Sequence, residues 1–289
     1  MNRPFNTETS TDNDGDSRVP VISRRAALAM LGMVGAGALL TACGSSSPSS
    51  SSATTSPSTT EPPSTSSTST AAAGTTTSIP TVSCVLTQEQ EQGPYYYPAA
   101  AIRSNITDGK AGVPMNLHVT VIDISTCKPV PNATVDIWEA DALGAYSDTS
   151  SGLFLRGLQP TDAKGVATFT SIYPGWYPGR TNHIHVKVHI GGTIATKYTG
   201  GHVTHTGNLF FPEEISTAVA RISPYTDNTS SRTTLTSDFV YHGQNGSGSI
   251  MTLTPIDPSK PEKGYVASIV LGVDPTATPS PIGISGTVS

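Results

Sequence analysis

Strict alternation of apolar and polar residues is the feature that most constrains the fold of this chain. Residues 115–121 place Met, Leu, Val and Val at odd positions, with Asn, His and Thr between them. Successive side chains of a strand point to opposite faces, so this pattern predicts a strand with one buried face. Comparable patterns predict strands at residues 115–124, 133–140, 166–172, 183–190, 193–198, 250–253 and 265–273. Many short strands at regular spacing predict an all-β domain with a β-sandwich architecture.

Only residues 212–222 have the pattern of a helix. A proline and two glutamates occupy the first turn, and Ile215, Val219 and Ile222 fall on one helical face. We therefore expect a sandwich with long loops and one short helix.

Composition limits the folded part to residues 83–274. Residues 44–82 are almost entirely Ser, Thr, Pro, Ala and Gly, which predicts a disordered tether because such a segment has little apolar surface to bury. Residues 275–289 contain three prolines and no periodicity, which predicts a flexible tail.

Residues 1–43 have the pattern of an export signal. Arg24 and Arg25 precede an apolar run of about 15 residues, which is short for a membrane-spanning helix but suits a signal peptide. The paired arginines resemble a twin-arginine signal. The ending Leu40-Thr41-Ala42-Cys43 resembles a bacterial lipobox, which implies lipidation of Cys43. We expect an exported protein, either a cell-envelope lipoprotein or extracellular, that meets the membrane only through its lipid; the alternative is an ordinary secretory signal with a chance cysteine.

Two further cysteines bear on disulfide formation, and the net charge bears on binding to nucleic acid. In an oxidising compartment, Cys84 and Cys127 are predicted to form a disulfide, with two buried free thiols as the alternative. The formal net charge is −5, so the chain lacks the excess of positive charge that binding to nucleic acid requires, and no nucleic-acid partner is expected.

The candidate site lies in the strand that begins at His183. Its alternation places Ile184 and Val186 on the core face, and therefore His183 and His185 together on the opposite face. Two imidazoles about 7 Å apart along a strand can converge on one metal ion. A His-x-His pair alone is a weak signal, but Tyr177 and Arg180 lie just upstream.

Several motifs in one order resemble the intradiol ring-cleavage dioxygenases, the family of catechol and protocatechuate dioxygenases, and most closely its secreted members. The matching pieces are Gly93-Pro94-Tyr95-Tyr96, Asp136-Ile137-Trp138, residues 141–146, residues 161–165, Tyr173-Pro174-Gly175-Trp176-Tyr177, Arg180 and His183-Ile184-His185.

The resemblance implies an Fe(III) centre with four ligands, Tyr146, Tyr177, His183 and His185. Phenolates suit a hard, highly charged ion, whereas a ferrous oxygenase is expected to use two histidines and a carboxylate. The resemblance also implies that Tyr177 accepts a proton from a small aromatic diol. Arg180 is expected to stabilise negative charge that develops on the substrate. The implied reaction uses O2 and opens the ring between its two hydroxyls, giving a muconate-type diacid in aromatic compound catabolism.

Two departures from the family pattern stand out. Only residues 178–182 separate Tyr177 from His183, and Gly179 stands where some relatives have a tryptophan. Glu139 and Ala140 replace the His-Cys that secreted relatives often have, so any additional disulfide at that position is missing.

The sequence alone is also compatible with two other functions. One is a non-catalytic β-sandwich binding module on a lipid tether. The other is a cupin-like zinc or ferrous enzyme that uses His183, His185 and His189, although no cysteine or well-placed carboxylate completes such a site. His189, His202 and His205 are expected to be structural or solvent-facing. The preferred catechol and the oligomeric state are left open.

The lipid anchor yields the first testable prediction. Cys43→Ala should move the protein from the membrane to the soluble fraction, as measured by fractionation and immunoblotting. The Ser45→Ala variant is a suitable control, because it leaves the cysteine in place. Recovery of the unaltered protein in soluble form, cleaved beyond Cys43, would contradict the anchor.

Overall fold

The computed structural model describes residues 84–98, 101–280 and 282–283, which belong to the compact unit Gly74–Ser289. The predicted signal peptide with Cys43, and the predicted tether, lie outside the described residues. Among the described residues, no helix is both long enough and apolar enough to cross a membrane.

The described residues form nine strands and two α-helices. The strands are β1 (Pro114–Asp123), β2 (Lys128–Pro129), β3 (Thr134–Glu139), β4 (Arg156–Pro160), β5 (Val166–Ile172), β6 (His183–Ile194), β7 (Tyr198–Phe210), β8 (Thr252–Pro255) and β9 (Tyr265–Val273). The helices are α1 (Glu213–Val219) and α2 (Phe239–Gly243). One sheet has the order β2-β1-β9-β8 with β5 also paired to β1, and the other has the order β4-β3-β6-β7. Only the β1–β9 pair is parallel among the named strand pairs.

The core lies between the two sheets, as alternation predicts. Leu117 and Val119 of β1 and Ile184 and Val186 of β6 are all fully buried in one hydrophobic cluster. The all-β sandwich expected from the sequence is confirmed.

The four-stranded sheet is buried on both faces, which the sequence did not predict. Every residue of β3 is buried, and in β7 the consecutive residues Thr204 to Phe210 are buried. A strand that is covered on both sides has no need for alternation, which explains why β7 was missed. The expected strand at residues 193–198 is instead the end of β6, the turn at residues 195–197 and the first residue of β7.

The predicted helix is present as α1, and α2 is an additional one. Helix α2 has only five residues, too few for helical periodicity to show in the sequence. Its N-cap is Asp238, whose Oδ1 accepts hydrogen bonds from the N–H groups of Val240 (2.8 Å) and Tyr241 (3.0 Å).

The segment from Cys84 to Tyr97 covers part of the polar face of the four-stranded sheet. A disulfide joins Cys84 to Cys127, 43 residues apart in sequence, in the turn after β1. The backbone of Gln90 donates to the carbonyl of Thr206 at 2.9 Å, and the Gln90 side chain accepts from the N–H of Asn208 at 2.8 Å. The Cys84–Cys127 disulfide closes the loop between these two residues, and a disulfide across a loop of that length typically contributes about 2–4 kcal/mol to stability.

Within the part of the chain that the structure describes, one buried carboxyl group has no charged partner at hydrogen-bonding distance. Glu139 ends β3 with no solvent exposure, and the Ser171 hydroxyl donates a hydrogen bond to its Oε1. Among the described residues, its Oε2 has no hydrogen-bond partner. Burial raises the pKa of Glu139 to about 8, and the Ser171 hydrogen bond only partly opposes that shift.

This carboxyl predicts a pH-dependent stability. Because the pKa of Glu139 is higher in the folded state, its contribution is fully present below about pH 4.5 and is lost as the pH rises through about 8. Glu139→Gln should therefore flatten the decline in free energy of unfolding over this range, as measured by urea denaturation at several pH values. The exposed Glu262→Gln is the matched control, and equal slopes in all three proteins would contradict the assignment.

Candidate metal centre

The four side chains singled out as ligands meet at one point. The Nε2 atoms of His183 and His185 are 3.2 Å apart. The Tyr177 hydroxyl lies 3.2 Å, and the Tyr146 hydroxyl 3.5 Å, from His183 Nε2. Two ring nitrogens and two phenol oxygens thus converge from three separate parts of the chain.

A tight turn carries Tyr146 into the site. The Asp141 carboxylate braces this turn by accepting from the N–H groups of Leu143 (3.1 Å) and Ala145 (3.0 Å). Gly144 has φ +85°, and a Cβ there would lie 2.2 Å from the carbonyl oxygen of Trp176. A glycine is therefore required for the turn to approach the residue that precedes Tyr177.

The imidazole of His185 is confined on two sides. Trp138 stacks on it at 4.9 Å between ring centroids and 2° between planes. A Cβ at Gly93 would lie 2.9 Å from His185 Cε1, so only glycine lets the N-terminal segment pass at this distance.

The tautomer of His183 is fixed by the backbone. Its Nδ1 lies 2.6 Å from the carbonyl oxygen of Thr181, so Nδ1 carries the proton and donates to that oxygen. The lone pair is then on Nε2, the atom that faces the other three donors. A backbone carbonyl on the far nitrogen is a usual arrangement for a metal-ligating histidine.

Burial keeps all four groups neutral in the absence of a cation. Burial, and next the Arg180 charge, lower the pKa of His183 to about 3, and burial followed by the charge of His183 lowers the pKa of His185. Burial raises the pKa of Tyr146 and of Tyr177 above the ordinary value of 10. A bound cation reverses the effect on the phenols, because it stabilises phenolate strongly. The donor set therefore fits a hard trivalent ion such as Fe(III).

The other histidines lie apart from this cluster. His189 Nε2 is 3.8 Å from Asp136 Oδ2, His202 Nε2 is 3.0 Å from the Pro275 carbonyl oxygen, and His205 Nδ1 is 2.8 Å from Glu89 Oε1. Within the described residues, no group of three His, Cys, Asp or Glu side chains could hold a metal ion. A three-histidine zinc or ferrous site that includes His189 is therefore not formed by this geometry.

Arg180 is buried and held by three partners from distant parts of the chain. Its Nε donates to Asp238 Oδ2 (2.9 Å), its Nη1 to Glu91 Oε1 (3.3 Å) and its Nη2 to Asn208 Oδ1 (3.1 Å). Burial alone would raise the pKa of Asp238, but the Arg180 charge and backbone hydrogen bonds keep it below the ordinary value. Burial outweighs Arg180 at Glu91 and raises the pKa of that carboxyl.

These three partners of Arg180 were missed in the sequence. They lie 28 to 89 residues from it along the chain, and none belongs to a local motif with a fixed spacing. Asn208 comes from β7, Glu91 from the segment of residues 84–97 and Asp238 from the N-cap of α2, so only the tertiary fold brings them together.

Comparisons with known proteins find similarity to dioxygenases. A family model described as Dioxygenase matches residues 91–210. The structure is similar to an intradiol ring-cleavage dioxygenase from Tetranychus urticae, with 33% identity, coverage of 68% of this chain and 98% of that chain, and a TM-score of 0.61. A second dioxygenase crystal structure has 31% identity, the same two coverages and a TM-score of 0.59.

A further similar structure is the dioxygenase domain of a dioxygenase carbohydrate-binding protein fusion from the cellulolytic bacterium Streptomyces sp. SirexAA-E. It has 29% identity and a TM-score of 0.45, and the match covers 65% of this chain and 97% of that chain. Comparison with curated protein sequences found no match.

The burial of Arg180 predicts a large loss of stability on truncation. Arg180→Ala leaves Asp238 and Glu91 without their cation, which should lower the free energy of unfolding by about 3–5 kcal/mol. Chemical denaturation measures this loss, and the exposed Arg221→Ala is the matched control. A loss no larger than that of the control would show that the two carboxylates do not depend on Arg180.

Proposed function

Because the chain belongs to the intradiol ring-cleavage dioxygenase family, we propose that it binds Fe(III) through Tyr146, Tyr177, His183 and His185 and cleaves catechol-type substrates with O2. The ring opens between its two hydroxyls, and the product is a muconate-type diacid. The observation that carries the proposal is the convergence of two phenol oxygens and two imidazole nitrogens, with the other three atoms 3.2–3.5 Å from His183 Nε2.

When bound, ferric iron draws electron density from a coordinated catecholate and so makes its ring reactive toward O2. The two tyrosines differ in how firmly the protein holds them. Tyr95 stacks on Tyr146, and the Asp141-braced turn fixes the backbone beside it. Tyr177 is followed by the exposed residues Pro178 and Gly179. With the metal bound, Tyr177 would be the phenolate able to accept a proton from the substrate hydroxyl, and Tyr146 would be the one that stays in place.

Arg180 supplies a fixed positive charge close to the histidines. Its guanidinium is held by Asp238, Glu91 and Asn208, so it cannot swing into solvent. A preorganised cation stabilises negative charge that develops on a substrate without reorganisation during the reaction. We assign Arg180 this role toward the ring.

The short loop after Tyr177 supports a wide substrate range. Around Gly179 there is open space, because among the described residues no atom outside Gly179 and its chain neighbours lies within 4 Å of the position a Cβ would occupy. The loop after Tyr177 therefore has no bulky side chain at this position, and we propose that it leaves one side of the substrate pocket open. We propose small aromatic diols with varied ring substituents as substrates.

We also propose that the protein acts outside the cytoplasm, held by a lipid on Cys43. The support is the arginine pair, the apolar run and the lipobox-like ending in the sequence. A bond between Cys84 and Cys127 suits an oxidising compartment.

Colour tests the iron assignment directly. A ferric phenolate protein absorbs visible light, whereas a zinc protein or a binding module is colourless. Tyr146→Phe should abolish the visible band of the iron-loaded protein and its oxygen uptake with catechol, because the variant lacks the ligand that stays bound. Tyr241→Phe, distant from the four donors in sequence, is the matched control. Full colour and activity in Tyr146→Phe would overturn the ligand set.

The substrate range is tested separately. Bulky 4-substituted catechols should be turned over with kcat/KM within about tenfold of catechol, a gap of about 1.4 kcal/mol in transition-state binding. The comparison uses catechol, protocatechuate and a bulky alkyl catechol. A preference above about a hundredfold for one small substrate would show that another segment closes the pocket.

A further inference from the structure

One tyrosine outside the proposed ligand set contacts it closely. Tyr95 lies flat on the ring of Tyr146, with 4.5 Å between ring centroids and 14° between planes, and its own ring is 6.0 Å from Tyr177 in an edge arrangement. Tyr95 remains 45% exposed. An aromatic side chain this exposed gains little from burial, so its position depends mainly on the ring that it covers and on its backbone.

A buried arginine fixes that backbone together with the backbone beside Tyr146. Arg156 is 2% exposed. Its Nη2 donates to the carbonyl oxygens of Tyr95 (2.8 Å) and Ser147 (2.7 Å), and its Nε donates to Ser147 Oγ (2.8 Å). One planar guanidinium therefore connects the residue that stacks on Tyr146 with the residue that follows Tyr146 in the chain.

The surroundings of Arg156 differ from those of Arg180. In the described part of the chain its hydrogen bonds go to a hydroxyl and to carbonyls, and the Tyr97 ring packs on its guanidinium at 4.1 Å. Burying a cation is costly unless its hydrogen bonds are well made. The arrangement is accordingly specific to arginine, because lysine lacks the planar fork that reaches two carbonyls and a hydroxyl together.

We propose that Tyr95 and Arg156 are positioning residues that form a clamp on Tyr146 and set the orientation of its ring at the metal. The clamp rests on the proposed function, because there Tyr146 is the ligand that stays bound. Tyr95 limits tilting of the ring from one face, and Arg156 fixes the chain on both sides of the stack. Ring orientation governs the overlap of the phenolate oxygen with the metal, and so the energy and intensity of the visible band.

The test measures the visible spectrum and iron retention of the Fe(III)-loaded protein. Tyr95→Leu should shift and broaden the band and speed the loss of iron to a chelator about two- to tenfold, the range expected for one aromatic pair. Tyr95→Phe keeps the ring and should preserve both properties. Tyr198→Leu is the matched control, because Tyr198 is a partly exposed tyrosine at the other end of the sheet that packs on His189.

A second set of variants tests Arg156. Arg156→Lys should reproduce the spectral change of Tyr95→Leu, and the double variant should show less than the sum of the two effects, because both act through one stack. If Arg156→Lys does not fold, Ser147→Ala decides, since it removes the hydroxyl that accepts from Arg156 Nε.

The outcomes separate the two proposals. A native protein without a visible band after loading with Fe(III) overturns the proposed function. If the native protein has the band, and Tyr95→Leu has the same spectrum and iron retention as the native protein, the clamp alone is overturned. The clamp is also overturned if Tyr198→Leu changes the spectrum as much as Tyr95→Leu does.

Discussion

The burial of the polar face of the four-stranded sheet is the constraint on which the rest of this structure depends. Strand β6 places apolar side chains on one face and His183, His185 and Lys187 on the other. The second face is polar, yet those three residues are no more than 6% exposed. Residues 84–97 and the loops around α2 pack near this face. Without that cover, the histidines and Arg180 would be ordinary hydrated surface groups.

Desolvation then determines the electrostatics of the site. It favours the neutral forms of the histidines and tyrosines, and it strengthens every interaction with a charge that remains. Two buried guanidinium groups, those of Arg180 and Arg156, stay charged, and their hydrogen-bond partners differ in charge. Arg180 pairs with Asp238 and Glu91, whereas Arg156 donates to carbonyls and a hydroxyl and packs against an aromatic ring. The protein thus has rigid positive charges beside donors that are ready to become anionic when a cation binds.

The sequence predicts well those features that follow from local geometry. The period of two predicts the sandwich, and it also predicts that His183 and His185 share a face. Tyr177 lies just upstream of the histidines, but Tyr146 could be singled out only through resemblance to a family, because nothing in its spacing brings it to them. Strand β7 has no alternation, since both of its faces are buried, and α2 is too short to show a period. Arg156, Asp238 and Glu91 were missed for one reason: each acts through contacts between segments far apart in the chain.

The disulfide has a mechanical consequence. Cys84 is where the described fold begins, and the chain before it leads to the proposed anchor. A pull that arrives at Cys84 acts on the Cys84–Cys127 bond, and Cys127 lies in the turn at the end of β1. The load therefore passes directly into the central strand of the five-stranded sheet. Residues 85–97 follow the disulfide in the chain, so this load bypasses them. They include Gly93, which lies against His185, and Tyr95, which stacks on Tyr146.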